Sequence, residues 1–309
     1  MAAYIDDLEL WHPMRNMDSI LADLRPFAEY STRSHDTSKN VHITLLQSYI
    51  SDSPSNTKGP SVVLLGDDLI ADMTTTGESP GLTAPWPSPA MLSDETLAGY
   101  YSPQAPCPCC GESGDDSSHE SPDDWKRLGG VFNAGVRGDT VQNLVYRLVG
   151  DQDIGGDLPG LLPMLAACGT VRVWVVHIGT NNVTPTRHWT WDEEREALMA
   201  LGRALRQANG GKNMVIMTAA FARRDVGMGR VRWLNRQIDD VSKEMEAWLG
   251  IGSTRYETIP YSDYVKMGGH LIDHVHLDLE GYRVWAKKLF PLVRDWLRVV
   301  NECHGHGAR

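Results

Sequence analysis

Apolar residues along the chain fall into short continuous runs separated by longer stretches of helical period. The runs are Val62–Leu65, Val131–Asn133, Val171–Ile178, Met214–Thr218 and Arg255–Ile259. Val171–Ile178 is apolar except at Arg172 and His177. Strands without polar alternation are buried on both faces, and such strands interleaved with helices build a parallel sheet covered on either side. The pattern predicts an α/β protein with three layers, α/β/α, around about five parallel strands.

The helical stretches carry their own start and stop signals. Thr190 and Glu193 form a capping box, in which each side chain satisfies a backbone N–H at the other end. Behind it Leu198, Leu201, Leu205 and Ala208 share one face, and Gly210-Gly211 ends the helix. A second stripe runs Val231, Leu234, Ile238, Val241, Met245 and Trp248. The last runs Tyr282, Trp285, Leu289, Leu292, Trp296 and Val299, with a bend expected at Pro291. These stripes, tryptophans included, are expected to be core.

Two regions break the alternation. Residues 1–58 read as an N-terminal lead-in packed on the core, with a short helix over Asp18–Leu24 and a short strand over Val41–Leu46. Residues 59–309 read as a single domain, interrupted by a loop insertion at about 77–124 that is rich in Pro, Ser, Gly and Asp. Its stretch 111–125 holds six carboxylates and no Lys or Arg. A loop beyond the carboxyl end of a strand in such a sheet borders the ligand crevice. A lid and a plain solvated insertion are both consistent with it.

Composition narrows the partners. The net charge of −11 argues against nucleic acid and anionic membrane, which call for a basic surface. No apolar run reaches the roughly 18 residues a membrane span needs. The start, Met1 to Asp7, is acidic and lacks the cationic and apolar regions of a secretory signal. Five cysteines, an odd number, point to reduced thiols and a cytoplasmic location. Cys107, Cys109 and Cys110 with His119 invite a zinc site, but C-x-C-C is not a usual zinc spacing, and Cys168 and Cys303 stand alone. Free thiols and no metal are expected. Gly66, Gly135 and Gly138 lie in separate strand–helix units with no Gly-Lys-Ser/Thr after them, so no nucleotide cofactor is expected.

Four segments carry candidate chemistry. Ser61–Asp68 is a buried strand entering a Gly turn, which presents one side chain at the carboxyl end of the sheet. Asn133–Thr140, with Gly135 and Gly138, joins a strand to a helix, and Asp139 or Thr140 is placed to cap that helix. Gly179-Thr-Asn-Asn182 follows the most apolar strand. Asp273-His-Val-His276 precedes the last helix, and a spacing of three can bring Asp273 to His276 and fix the imidazole tautomer. His270 and His274 are competitors that read as satisfied surface histidines. Asp67 reads as a turn residue.

In this order the four segments resemble the SGNH (GDSL) hydrolase family, with Asn133–Thr140 and Gly179–Asn182 closest in look to the branch containing platelet-activating-factor acetylhydrolase catalytic subunits. The resemblance covers roughly two-thirds of the chain and implies a flavodoxin-like fold. It also implies His276 as base with Asp273 as its partner, and Gly138 and Asn181 as oxyanion donors. Asn182 stands where many relatives carry Asp. The family's Gly-Asp-Ser is here Gly66-Asp67-Asp68, so Asp68 occupies the place of the nucleophilic serine.

A carboxylate there changes the chemistry. Attack on an acyl carbon would give a mixed anhydride, and a fixed negative charge faces donors meant for a transient one. Ordinary serine-ester turnover is not expected. Three readings stay open. The site is repurposed on a small carbonyl or ester-type metabolite, Asp68 and His276 acting as an acid–base pair in elimination, isomerisation or cyclisation, or Asp68 attacking an sp³ carbon. The chain is a GDSL esterase inactivated by Ser-to-Asp at position 68. Or it is a catalytically dead binding module. The expected partner in the first is a small molecule, and secondary metabolism is the expected setting.

Overall fold

The computed structural model describes residues 15–51, 59–73, 86–89, 91–98, 127–184, 191–211, 213–249, 254–257 and 270–305. Most of the 77–124 insertion, with Cys107, Cys109, Cys110 and His119, lies outside these residues, as does Thr190 of the expected capping box. The strands are β1 Val62–Gly66, β2 Val131–Gly135, β3 Val173–His177, β4 Met214–Thr218 and β5 Thr254–Glu257. The helices are α1 Met17–Leu24, α2 Thr32–Thr37, α3 Thr44–Ser51, α4 Asp68–Asp72, α5 Asp94–Ala98, α6 Val141–Val149, α7 Leu161–Cys168, α8 Trp191–Gln207, α9 Met228–Leu249 and α10 Leu279–Gly305.

All five strands pair in parallel, in the order β2-β1-β3-β4-β5. That is the flavodoxin-like order, in which the chain reverses its direction of winding between β1 and β3 and opens a crevice at the strands' carboxyl ends. The alternation of side chains along each strand divides the core in two. Val63, Leu65, Phe132, Ala134, Trp174, Val176, Val215 and Met217 point into one layer with α1, α6, α7, α8 and α9. Val62, Leu64, Val131, Val173, Val175, Met214 and Ile216 point into the other, against Leu69 and Ile70 of α4 and Tyr282, Trp285, Leu289 and Phe290 of α10. Burial on both faces explains why these strands read as unbroken apolar runs.

The helical stripes land where their period places them. Leu198, Leu201 and Leu205 of α8 are buried, and so are Val231, Leu234, Ile238, Val241 and Met245 of α9. Gly210 and Gly211 follow α8 in left-handed conformations, φ 63° and 75°. The last helix continues through Pro291, with Tyr282 and Trp285 buried in the core.

Two stretches differ from expectation. Within the expected loop insertion Asp94–Ala98 forms α5, and Trp86, Met91, Leu92 and Leu97 are buried in the same core cluster as Trp285 and Phe290 of α10. Val41–Leu46 is helical: a π-turn over Ser38–Ile43 passes directly into α3. Ser38, His42, Ile43 and Leu46 are buried, a spacing that lies on one helical face, while Val41 is 39 % exposed. A strand would have put Val41 and Ile43 on the same side. A short apolar run fits either period, and packing against the sheet layer decides it. Ile20 and Leu24 of α1 join Ile43 and Leu46 in the same core cluster. No described helix is long and apolar enough to cross a membrane.

Candidate active site

Gly66 closes β1 because nothing larger fits. A Cβ there would stand 2.2 Å from the carbonyl oxygen of His177 on the neighbouring strand. The chain then turns into α4, capped by Asp67, whose Oδ1 accepts the N–H of Leu69 at 3.2 Å. Asp67 is fully buried, and burial, reinforced by the charge of Asp68, pushes its carboxyl up to about 8. It is therefore neutral at pH 7.

Asp68 opens the helix and points into the crevice. Its two oxygens have different partners. Oδ2 accepts the backbone N–H of Gly138 at 3.0 Å and the side-chain amide of Asn181 at 2.7 Å. Oδ1 faces Nε2 of His276 at 3.4 Å. Burial raises the carboxyl's pKa, but hydrogen bonds from Asn181, Gly138 and His276 outweigh it and hold the group below the usual carboxylate range.

His276 is fixed from behind. Its Nδ1 lies 2.6 Å from Oδ2 of Asp273, whose Oδ1 also accepts the backbone N–H groups of Val275 at 2.7 Å and His276 at 2.8 Å. Burial raises the carboxyl of Asp273, but the bond from the His276 ring and the two backbone N–H groups together outweigh it and hold the group well below the ordinary range. Burial lowers the pKa of His276, but the two carboxylates override it and raise the imidazole above the ordinary histidine range. His276 thus sits between two carboxylates that favour its charged form.

The structure thus brings together all five residues singled out in the sequence: Asp68, Gly138, Asn181, Asp273 and His276. Gly138 holds φ +81°, the left-handed region, which aims its N–H at Asp68. Asn181 also donates to the carbonyl oxygen of Asp139 at 3.1 Å. Asn182 turns away, accepting the N–H of Val141 at 2.9 Å, and anchors the start of α6. His270 and His274 stand near Asp278 and Asp225 at 3.7 and 3.8 Å, away from Asp68.

In three dimensions the chain is similar to several solved structures. One, from Streptococcus pneumonia, is described as a platelet activating factor, with 11 % identity, 81 % of this chain and 92 % of that chain covered, and a TM-score of 0.47. An acetylxylan esterase from Geobacillus stearothermophilus shows 14 % identity over 77 % of this chain and 96 % of that one, with a TM-score of 0.46. A carbohydrate acetylesterase from Sinorhizobium meliloti shows 16 % identity over 75 % and 99 %, with a TM-score of 0.42. No family model matches the chain, and the search of curated proteins found no match.

Beneath the crevice lies a support that the sequence reading missed. Arg147 of α6 is fully buried; it donates to Oδ2 of Asp139 at 2.7 Å and to the carbonyl oxygen of Ala134 on β2 at 2.9 Å. The other oxygen of Asp139 takes the hydroxyl of Ser34 from α2. Asp139 is therefore a tie between the donor loop, α6 and the lead-in, and Thr140 alone caps α6, in a capping box with Asn143. An arginine on the apolar stripe of a helix, eight residues after a loop aspartate, was the available signal. At the rim Arg137 pairs with Asp72, whose carboxyl burial raises in spite of that partner. Among the described residues no group of three or more His, Cys, Asp or Glu is placed to hold a metal ion.

Proposed function

We propose that this chain is a hydrolase of SGNH-like architecture in which Asp68 is a carboxylate nucleophile toward an sp³ carbon of a small molecule. One observation carries the reading: the two oxygens of Asp68 are divided between two tasks. Oδ2 rests between the donors Gly138 and Asn181. Oδ1 is left facing His276 in a long hydrogen bond of 3.4 Å.

The chemistry balances in two steps. Oδ1 attacks a carbon bearing a leaving group; the C–O bond forms, the bond to the leaving group breaks, and the leaving group departs with the electron pair. The product is an alkyl ester of Asp68. Esterification removes the negative charge beside His276, so the charged form of the imidazole loses one of the two anions that favour it, and the ring gives up to solvent any proton that it holds. Neutral His276 then takes a proton from water as the hydroxide adds to Cγ of Asp68. The resulting oxyanion forms on Oδ2, already between its two donors. Collapse expels the alcohol, which leaves with the proton from His276; the new carboxyl of Asp68 then passes its own proton to His276 and so returns to the carboxylate. The net reaction exchanges a leaving group for hydroxyl. Asp68 as a proton acceptor is less well supported, since a carboxyl held below its ordinary range is a weak base.

The test is a single turnover in ¹⁸O-water with a panel of small alkyl halides, epoxides and alkyl sulfates. Label is expected in the carboxyl of Asp68, and His276→Gln is expected to accumulate an ester on that residue. Absence of both label and adduct across the panel sinks the reading.

The occupied donors favour a second reading, a serine ester hydrolase silenced at position 68. In that case Asp68→Ser hydrolyses a nitrophenyl ester while the unaltered chain forms no adduct at all.

A further inference from the structure

We infer that Arg33 of α2 is a positioning residue for the site: it holds the peptide whose N–H faces Asp68 in the orientation that makes it a donor. The inference rests on the proposed reading of the site only in taking Gly138 as a donor to the reacting group. Val136–Asp139 is a tight turn, closed by the N–H of Asp139 donating to the carbonyl oxygen of Val136 at 3.2 Å. Gly138, its third residue, holds φ +81°, and no described residue other than glycine has a positive φ. That combination defines a type II turn. Its central peptide joins Arg137 to Gly138 and is trans, so its N–H and C=O point to opposite sides. The N–H donates to Oδ2 of Asp68 at 3.0 Å, and the carbonyl oxygen accepts Nη1 of Arg33 at 3.1 Å.

A type II turn becomes a type I turn when its central peptide turns over. Glycine takes the φ of either form, so the backbone of this turn does not itself choose between them. The neighbouring ties fix the corners. The side chain of Arg137 pairs with Asp72, and that of Asp139 is held by Ser34 and Arg147. The orientation of the central peptide is left to its own two bonds. Turned over, it would direct the Arg137 carbonyl toward Asp68 and carry the donor N–H away. The bond to Asp68 weakens during the proposed reaction, because an ester oxygen accepts less strongly than a carboxylate. The bond from Arg33 lies on the far edge of the peptide, away from the chemistry. A cation on the carbonyl also polarises the amide and strengthens its N–H as a donor. The guanidinium is seated closely, since a Cβ on Gly138 would stand 2.5 Å from Nη1 of Arg33. Arg33 and Ser34 are consecutive in α2, so the lead-in grips this turn twice, at the Arg137 carbonyl and at the Asp139 side chain.

The experiment needs no turnover. Arg137-Gly138 is the single Arg-Gly step in the sequence, so ¹³C in arginine and ¹⁵N in glycine isolate this peptide in an NMR spectrum of the full chain. A type II turn brings Hα of Arg137 close to the N–H of Gly138 and a type I turn separates them, so the nuclear Overhauser effect between the two reports the populations. Arg33→Met and Arg33→Lys are compared with the unaltered residue, each with Asp68 and with Asp68→Ser. Arg33 is exposed, so both changes keep the buried Ser34–Asp139 tie and fold. Asp68→Ser removes the acceptor of the N–H and leaves Arg33 as the remaining hold. In that background Arg33→Met is expected to raise the ratio of type I to type II about tenfold, the scale of one hydrogen bond from a charged group. Arg33→Lys should keep most of the type II form. With Asp68 in place, Arg33→Met should shift the Gly138 proton upfield and move the titration of the Asp68 carboxyl up, and Arg33→Lys should largely restore both. An arginine that served only the stability of α2 would move none of these signals. A type II population in Asp68→Ser that ignores Arg33→Met, or is lost equally with Met and Lys, overturns the inference. Arg33-dependent turn geometry without an adduct on Asp68, or without ester hydrolysis by Asp68→Ser, leaves it standing and counts only against the proposed function.

Discussion

The backbone N–H of Gly138 donates to Oδ2 of Asp68 at 3.0 Å, so the carboxylate occupies a donor that the proposed site would otherwise offer to a substrate's oxyanion. A serine is too short to reach that far. Asp68→Ser should therefore free both donors, and slow hydrolysis of a short nitrophenyl ester is the expected gain. Adding Asn181→Ala should reduce that new activity about 100- to 1,000-fold, the usual cost of one oxyanion donor. Unchanged turnover on removing Asn181 would show that the ester is cleaved elsewhere.

The charge on Asp68 should be readable at His276. Two carboxylates raise the imidazole above 6.5. Asp68→Asn removes one of them, so the titration of His276, followed by NMR of the ring protons, should move down. The stability contribution has a definite sign. A raised histidine pKa stabilises fully below 6.5 and loses that contribution as pH climbs through the folded value. The depressed carboxyl of Asp68 stabilises above the ordinary carboxylate value near 3.8 and loses that contribution as pH falls through its folded value. A His276 titration identical in Asp68→Asn would mean the 3.4 Å contact carries no coupling.

Asp67 gives the opposite pH dependence. Its folded carboxyl stays protonated up to about 8, while the unfolded one ionises near 3.8. Between those values the native state holds the extra proton, and stability falls as pH rises. Asp67→Asn keeps an acceptor for Leu69 and cannot ionise. Denaturant midpoints measured from pH 4 to 8 should decline less steeply in this variant than in the unaltered chain. Parallel slopes would exclude Asp67 as the source.

The buried ion pair supports the donor loop. Replacing Arg147 with Met leaves Asp139 buried without its cation, and a loss of about 3–5 kcal/mol is expected. Removing both partners, Arg147→Met with Asp139→Leu, should cost less than the single change, because no uncompensated charge remains. Equilibrium unfolding of the four proteins in the cycle decides it. Additive losses would mean the two residues act separately.

Much of this was visible in the chain because its signals were local. The buried strands announce themselves as Val62–Leu65 and Met214–Thr218, and the stripes of α8 and α9 need only a period of 3.6. Asp68, Gly138, Asn181, Asp273 and His276 follow turn or spacing motifs and meet because the parallel sheet gathers its carboxyl ends. What stayed hidden depends on distant partners. Val41–Leu46 has too few residues to reveal its period, and the layer it packs on selects helix. Arg147 carries no motif of its own, and its role comes from Asp139 and the Ala134 carbonyl beside it. Ser34 carries no motif, and its bond to Asp139 comes only from the path of the lead-in.

Gly66, Gly135 and His177 lie abreast on three hydrogen-bonded strands. The turns that follow them are therefore spaced by the lattice of the sheet, roughly 4.8 Å from strand to strand. The separation between position 68 and the donors after the neighbouring strands is a dimension of the backbone and owes little to the side chain at 68. The sheet is a tool holder, and residue 68 is the interchangeable bit. Such an arrangement lets a lineage change its reagent in one position without rebuilding the grip, so chemistry on this scaffold can diverge faster than its shape.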